Sequence, residues 1–153
     1  MNKSLQISTR VTRLLSKIYF ASLEGMLGVK LKEISCKEIE LNSFTTPYPF
    51  IVMIDFIGDA SGFISVSLEL STITKLLDLK LPAPEDERYK ETIIICEDFL
   101  RETLNGVSGS CLNNIQKDYK PLTLMSPKVI HGSVSFPLVP CMAIEIDTDL
   151  GPF

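Results

Sequence analysis

Residues 86–117 read DERYKETIIICEDFLRETLNGVSGSCLNNIQK and lie one residue beyond the breaker Pro82-Ala83-Pro84. At about 100° per residue, Ile93, Cys96, Leu100, Leu104, Val107, Cys111 and Ile115 fall on one stripe. The stripe predicts a helix from about Asp86 to Lys117 that docks on a sheet through that face. Asp98, Glu102, Asn105, Gly109 and Gln116 fall on the opposite side, and Glu102 and Asn105, three residues apart, are neighbours there. The same segment carries Gly106, Ser108, Gly109 and Ser110. An interior glycine costs a helix about 1 kcal/mol relative to alanine, so something other than helix stability favours the two. Two causes fit: tight packing of another helix, or close approach of a partner molecule to an exposed carboxylate and amide.

The flanking sequence supplies the sheet. Upstream, Val11, Leu14, Leu15, Ile18, Leu23 and Leu27 recur at three- and four-residue spacings and predict an amphipathic helix over Leu5–Leu27, ended by Gly25 and Gly28. Val29–Leu41 turns strand-like, with a slip in apolar phase between Leu31 and Ile34 that predicts a bulge. After a turn at Asn42–Pro49, Phe50–Ile57 is almost wholly apolar, as a strand buried on both faces should be. Gly58–Gly62 reads as a hairpin loop into a strand where Ile64, Val66, Leu68 and Leu70 alternate with Ser65, Ser67 and Glu69. Ser71 or Thr72 can cap a short helix carrying Ile73, Leu76 and Leu77. Beyond the long helix, Leu122–Ile130 and Ser133–Ile146 read as a closing hairpin. The order predicts an α+β fold: a two-layer sandwich with long helices packed on one face of a largely antiparallel sheet.

Composition narrows the function. The chain has 153 residues, 45% hydrophobic and 22% charged, enough for one domain that buries about 68–70% of its unfolded surface. A net charge of −4 argues against a nucleic-acid binder. No apolar run reaches the roughly 18 residues of a membrane span, and the dispersed Lys3, Arg10, Arg13 and Lys17 do not form a secretory signal. The expectation is a cytoplasmic protein.

Self-contained chemistry is hard to find. The four cysteines, at 36, 96, 111 and 141, form no CxxC, and His131 is the one histidine, so no zinc set exists. All four thiols read as small buried hydrophobes, and His131 before Gly132 as a turn residue. Gly-rich phosphate loops, GxSxG and HExxH are absent.

Against that background, Glu102-Thr-Leu-Asn105-Gly-Val-Ser-Gly109 resembles the ExxNxxxG signature of the CheX/CheC/FliY chemotaxis phosphatases. Met26-Leu27-Gly28-Val29 resembles the end of the family's first helix. Gly58-Asp-Ala-Ser-Gly62-Phe-Ile-Ser-Val resembles its strand-loop-strand, and Ser126-Pro127-Lys-Val-Ile-His-Gly132 its Pro-containing segment after the active helix. The pieces come in family order over most of the chain. Two departures stand out. CheC-type members carry a second ExxN on the first helix, whereas here Leu27 stands three residues after Glu24, which makes the chain resemble the single-site CheX type. The chain also stops at Leu150-Gly-Pro-Phe153, where the family turns into a last strand, so the expectation is one domain over 1–153 without that strand.

The resemblance implies dephosphorylation of the phosphoaspartate of a CheY-like response regulator. In that reaction Asn105 orients the attacking water and Glu102 pairs with the regulator's active-site lysine, while Asp98, Gly106 and Gly109 contact the partner. No cofactor is bound by this chain; Mg²⁺ comes in the active site of the regulator. The partners implied are the phosphorylated regulator and a second copy of the chain in a homodimer. The rival is a non-catalytic module of flagellar-switch-like fold that binds a regulator, against which the intact Glu102/Asn105 pair speaks. A self-contained hydrolase is disfavoured by the missing nucleophile, base and metal cluster.

Overall fold

The apolar run at 50–57 is the central strand of the computed structural model, which describes residues 3–39, 44–58, 61–116, 122–136, 141–148 and 151–152. In chain order the elements are α1 (Lys3–Leu27), β1 (Leu31–Ile39), β2 (Phe44–Thr45), β3 (Phe50–Ile57), β4 (Gly62–Leu68), α2 (Leu70–Leu76) and α3 (Glu87–Ile115). Then come β5 (Thr123–Leu124), β6 (Lys128–His131), β7 (Ser135–Phe136), β8 (Cys141–Thr148) and β9 (Gly151–Pro152). This is an α+β fold in which every described ladder is antiparallel. No described helix is long and apolar enough to cross a membrane.

β3 is paired on both sides, with β4 along one edge and β5 and β6 along the other. The β3–β4 register sets Phe50 opposite Leu68, Val52 opposite Val66 and Ile54 opposite Ile64, so alternate residues of both strands share one face. That face meets Cys96, Leu100 and Leu104 of α3 in the main core, with Ile73 of α2 and Ile146 of β8. Ile51 is also fully buried, as the expectation of a strand covered on both faces requires. The phase slip foreseen in β1 is present as a register shift between Glu33 and Ser35 against β8.

A second core joins the two long helices. Leu23 of α1 packs with Val107 and Cys111 of α3, and Ile18, Tyr19 and Leu27 lie against them. The first helix ends at Gly28, whose φ of +65° is the left-handed conformation that glycine adopts without a Cβ penalty. Its N–H donates to the Glu24 carbonyl at 3.0 Å. The Glu24 carboxylate accepts from the Leu31 N–H at 3.0 Å, so this side chain fastens α1 to β1. Leu14, expected on the apolar stripe, is 44% exposed. The side chains of Val11, Leu15, Cys36, Ile115 and Cys141 lie outside the described set.

Asp86 caps α3: its carboxylate accepts from the Arg88 N–H at 2.9 Å and from the Arg88 guanidinium at 2.6 and 3.1 Å. Those hydrogen bonds lower its pKa to about 2, so the cap is ionised at neutral pH.

Two expectations are corrected. Leu122–Ile130 and Ser133–Ile146 do not pair as a hairpin. β5 and β6 pair with β3, β7 with β2, and β8 with β1 and β9. Alternation marks a strand without naming its neighbour, and β8 finds its long partner in β1. Neither Ser71 nor Thr72 caps α2: the cap is Glu69, without a side-chain hydrogen bond, and Leu70 belongs to the helix rather than to β4. Gly151–Pro152 lies against Asp147–Thr148 as β9. Asn42, Asp59, Ala60 and Lys117, placed by sequence in turns and at a helix end, lie outside the described residues.

Neighbouring positions on α3 should separate sharply in stability. Leu104, 1% exposed in the main core, should cost about 2–5 kcal/mol when cut to alanine. Asn105→Ala should stay within about 0.5 kcal/mol of the wild type. Urea or thermal melts of the two variants read this directly, and an Asn105→Ala protein that melts lower than Leu104→Ala would refute the helix orientation.

Candidate functional site

The stripe and its opposite face arrange themselves on α3 as the 3.6-residue period requires. Cys96, Leu100, Leu104, Val107 and Cys111 are buried, and Ile93 packs at the edge of the core. Burial pushes the Cys96 thiol up and the Cys111 thiol up to about 11, so both are inert hydrophobes at neutral pH. Glu102, Asn105 and Gly106 are exposed within about one helical turn, and Gly109 is half-buried. Among the described residues, the side chains of Glu102 and Asn105 make no hydrogen bond or ion pair. A carboxylate and an amide are held side by side by a rigid element and left open to an incoming group.

The helix turns around them are tied down. Arg101 donates to Glu97 at 2.9 Å and to Asp98 at 3.0 Å. Glu97 in turn meets Nε2 of His131 at 2.9 Å, and the His131 ring stands edge-on to Phe50 at a centroid distance of 4.7 Å. Asp98, expected as a partner contact, is thus paired with Arg101 while its side chain stays 65% exposed. His131 is the last residue of β6 rather than a turn residue, and it links the sheet to α3 one turn before the Glu102/Asn105 pair. The Glu97–Arg101 spacing was visible in sequence; the contact with His131, 34 residues away, was not.

The glycines can now be read. A Cβ at Gly109 would meet nothing within 4 Å, and one at Gly106 would touch only the Met26 Cε at an ordinary 3.8 Å. Tight helix packing therefore does not explain them, and open approach to the outer face remains. Ser110 Oγ donates to the Gly106 carbonyl at 3.1 Å and Asn114 Nδ2 to the Ser110 carbonyl at 2.9 Å, back-bonds to the i−4 carbonyl that add no stability to a stretch of poor helix propensity. Gln116, placed by periodicity on the outer face, instead donates to the Leu122 carbonyl at 2.9 Å and fixes the chain leaving α3. A small apolar crevice lined by Tyr19, Leu23, Val52, Val66 and Phe99 lies in the core, and none of the candidate residues lines it. Among the described residues no group of three His, Cys, Asp or Glu side chains could hold a metal ion.

The α+β fold has counterparts among solved structures. CheX from Desulfovibrio desulfuricans superposes with a TM-score of 0.70 at 16% identity, covering 94% of this chain and 94% of that one. A CheC-like superfamily protein from Shewanella sp. PV-4 gives 0.69 at 18% identity, with 99% and 94% covered. A chain of the CheX–CheY–BeF3–Mg²⁺ complex from Borrelia burgdorferi gives 0.70 at 18% identity, with 92% and 91% covered. No protein-family model matches the sequence, and no curated protein does. The fold is that of the CheX chemotaxis proteins.

Since nothing packs on Gly109, Gly109→Ala should raise stability by about 1 kcal/mol through helix propensity alone. A lower melting temperature for this variant would mean that the glycine serves internal packing after all.

Proposed function

We propose that this protein dephosphorylates the phosphoaspartate of a CheY-like response regulator, in the cytoplasm, as part of chemotaxis or related two-component signalling. The observation that carries the reading is the uncommitted Glu102/Asn105 pair on the outer face of α3, with open space over Gly109. Phosphoryl transfer asks chiefly for positioning and charge stabilisation, which a helix-mounted amide and carboxylate can supply without a nucleophile of their own. Asn105 offers both a donor and an acceptor, so it can hold a water in line with the phosphorus with no pKa to tune. Glu102 pairs with the active-site lysine of the regulator. Mg²⁺ enters bound to the regulator and neutralises the transferred phosphoryl group. Half of the active site thus lies on each protein. A CheX–CheY complex among the structural neighbours supports the choice of partner.

The two residues should separate in kinetics of phosphate release from phosphorylated regulator. Asn105→Ala, losing a contact made in the transition state, should lower kcat on the order of 10²–10³ with regulator affinity nearly unchanged. Glu102→Ala and Glu102→Gln should weaken both binding and rate, by about 2–5 kcal/mol if the pair is buried on docking. Near wild-type turnover by Asn105→Ala would replace catalysis with simple regulator binding.

A homodimer belongs to the same proposal. Light scattering should return twice the 17.1 kDa chain mass, and a monomer throughout the micromolar range would remove it.

A further inference from the structure

Two large apolar side chains stand in water on the same helix, just before the candidate pair: Ile94 is 57% exposed and Ile95 49%. Adjacent β-branched residues suit an exposed helix poorly, since they lose χ1 freedom against the preceding turn and here bury little in return. They lie seven and eight residues before Glu102, roughly 10–12 Å along the helix axis. At about 100° per residue, Ile95 falls about 20° to one side of the Glu102 line and Ile94 about 80° to the other. Past the pair, Met26 of α1 is 52% exposed and approaches Gly106. Apolar groups therefore bracket Glu102 and Asn105 at both ends, while the carboxylates of Glu91, Asp98 and Glu102 form a line along the same face that starts one turn before the isoleucines and passes them. Arg101 is the cation nearest Asp98 on the helix, and it is divided between Glu97 and Asp98.

We propose that Ile94 and Ile95 are the docking anchor for the response regulator, seated on an apolar patch beside its active-site lysine; the proposal rests on the function argued above. Its partner is a surface that pairs apolar contact with positive charge, complementary to the Glu91–Asp98–Glu102 line. A second copy of this chain is the poorer occupant. A two-fold contact across this face would bring that line of carboxylates against its own image. Lying some 10 Å from the pair, the isoleucines act on affinity and partner choice, not on the water or the phosphorus.

The test uses the full chain, wild type and Ile94→Ser/Ile95→Ser, with a panel of CheY-like regulators activated by beryllofluoride and Mg²⁺ for binding, and phosphorylated for turnover. In the double serine variant, Kd and KM should rise about tenfold or more with kcat within about twofold, as for loss of a buried apolar hot spot. Its melting temperature should stay near wild type, and Ile94→Leu/Ile95→Leu should keep the affinity. Unchanged affinity in the serine variant overturns the proposal, as does loss of self-association in place of loss of regulator binding. Wild-type protein that binds activated regulator but releases no phosphate defeats the catalytic reading while the binding comparison still decides the anchor. Wild-type protein that binds no regulator in the panel overturns both.

Discussion

Everything on the outer face of α3 depends on how its inner face is held. Leu100 and Leu104 bury against Phe50, Val52 and Ile54 of the central strand, and Val107 and Cys111 bury against Leu23 of α1. Two different elements therefore fix one helix along its length, the sheet in its middle and α1 toward its end. A helix clamped this way cannot roll about its axis without exposing apolar surface at about 25 cal/mol per Å². Its outer residues inherit that rigidity. Glu102 and Asn105 need no partners of their own within the fold to be well placed, because the side chains one residue away from them are locked.

The ion-pair chain from His131 through Glu97 to Arg101 and Asp98 refines this arrangement. Exposed pairs of this kind contribute little stability, typically under about 1 kcal/mol each. Their value here is geometric. They hold the turn before Glu102 against the end of β6, on the side of the helix that the apolar core does not grip. They also occupy the one cation on that turn, which leaves Glu102 without a competing internal partner. On the first helix, Glu24 shows the opposite use of a carboxylate, engaged by the Leu31 N–H and so part of the fold. That is a physical counterpart to the absence of a second ExxN there.

Periodicity was the most informative signal in the sequence, and its reach was local. The apolar stripe of α3 and the bulge in β1 were legible because each is set by residues within a few positions of one another. The strand partners of residues 122–146 were not, because alternation in β8 is satisfied equally by several neighbours, and the choice of β1 is made by tertiary packing. Gln116 was misplaced for a related reason. Helical phase continues in arithmetic after the helix has ended, whereas the real chain turns at its C-cap toward Leu122. For the site, the Glu102/Asn105 pair could be read directly, but whether its glycines answered to packing or to access could not be decided until the space around them was known.

That space bears on why the helix tolerates such a weak stretch. Gly106 and Gly109 together forgo about 2 kcal/mol of helix propensity. Neither a turn, nor a positive φ, nor a neighbouring helix requires them. A methyl group at Gly109, one turn beyond Asn105, would meet nothing within 4 Å. The same helix thus places bulk at Ile94 and Ile95 and removes it at 106 and 109, at the two ends of a single face. Solvent alone gives no reason for that asymmetry, since water wets alanine and glycine alike and is indifferent to which end of a helix carries isoleucine. The regulator docking proposed above, with apolar contact at Ile94 and Ile95 and close approach over Gly106 and Gly109, would give one.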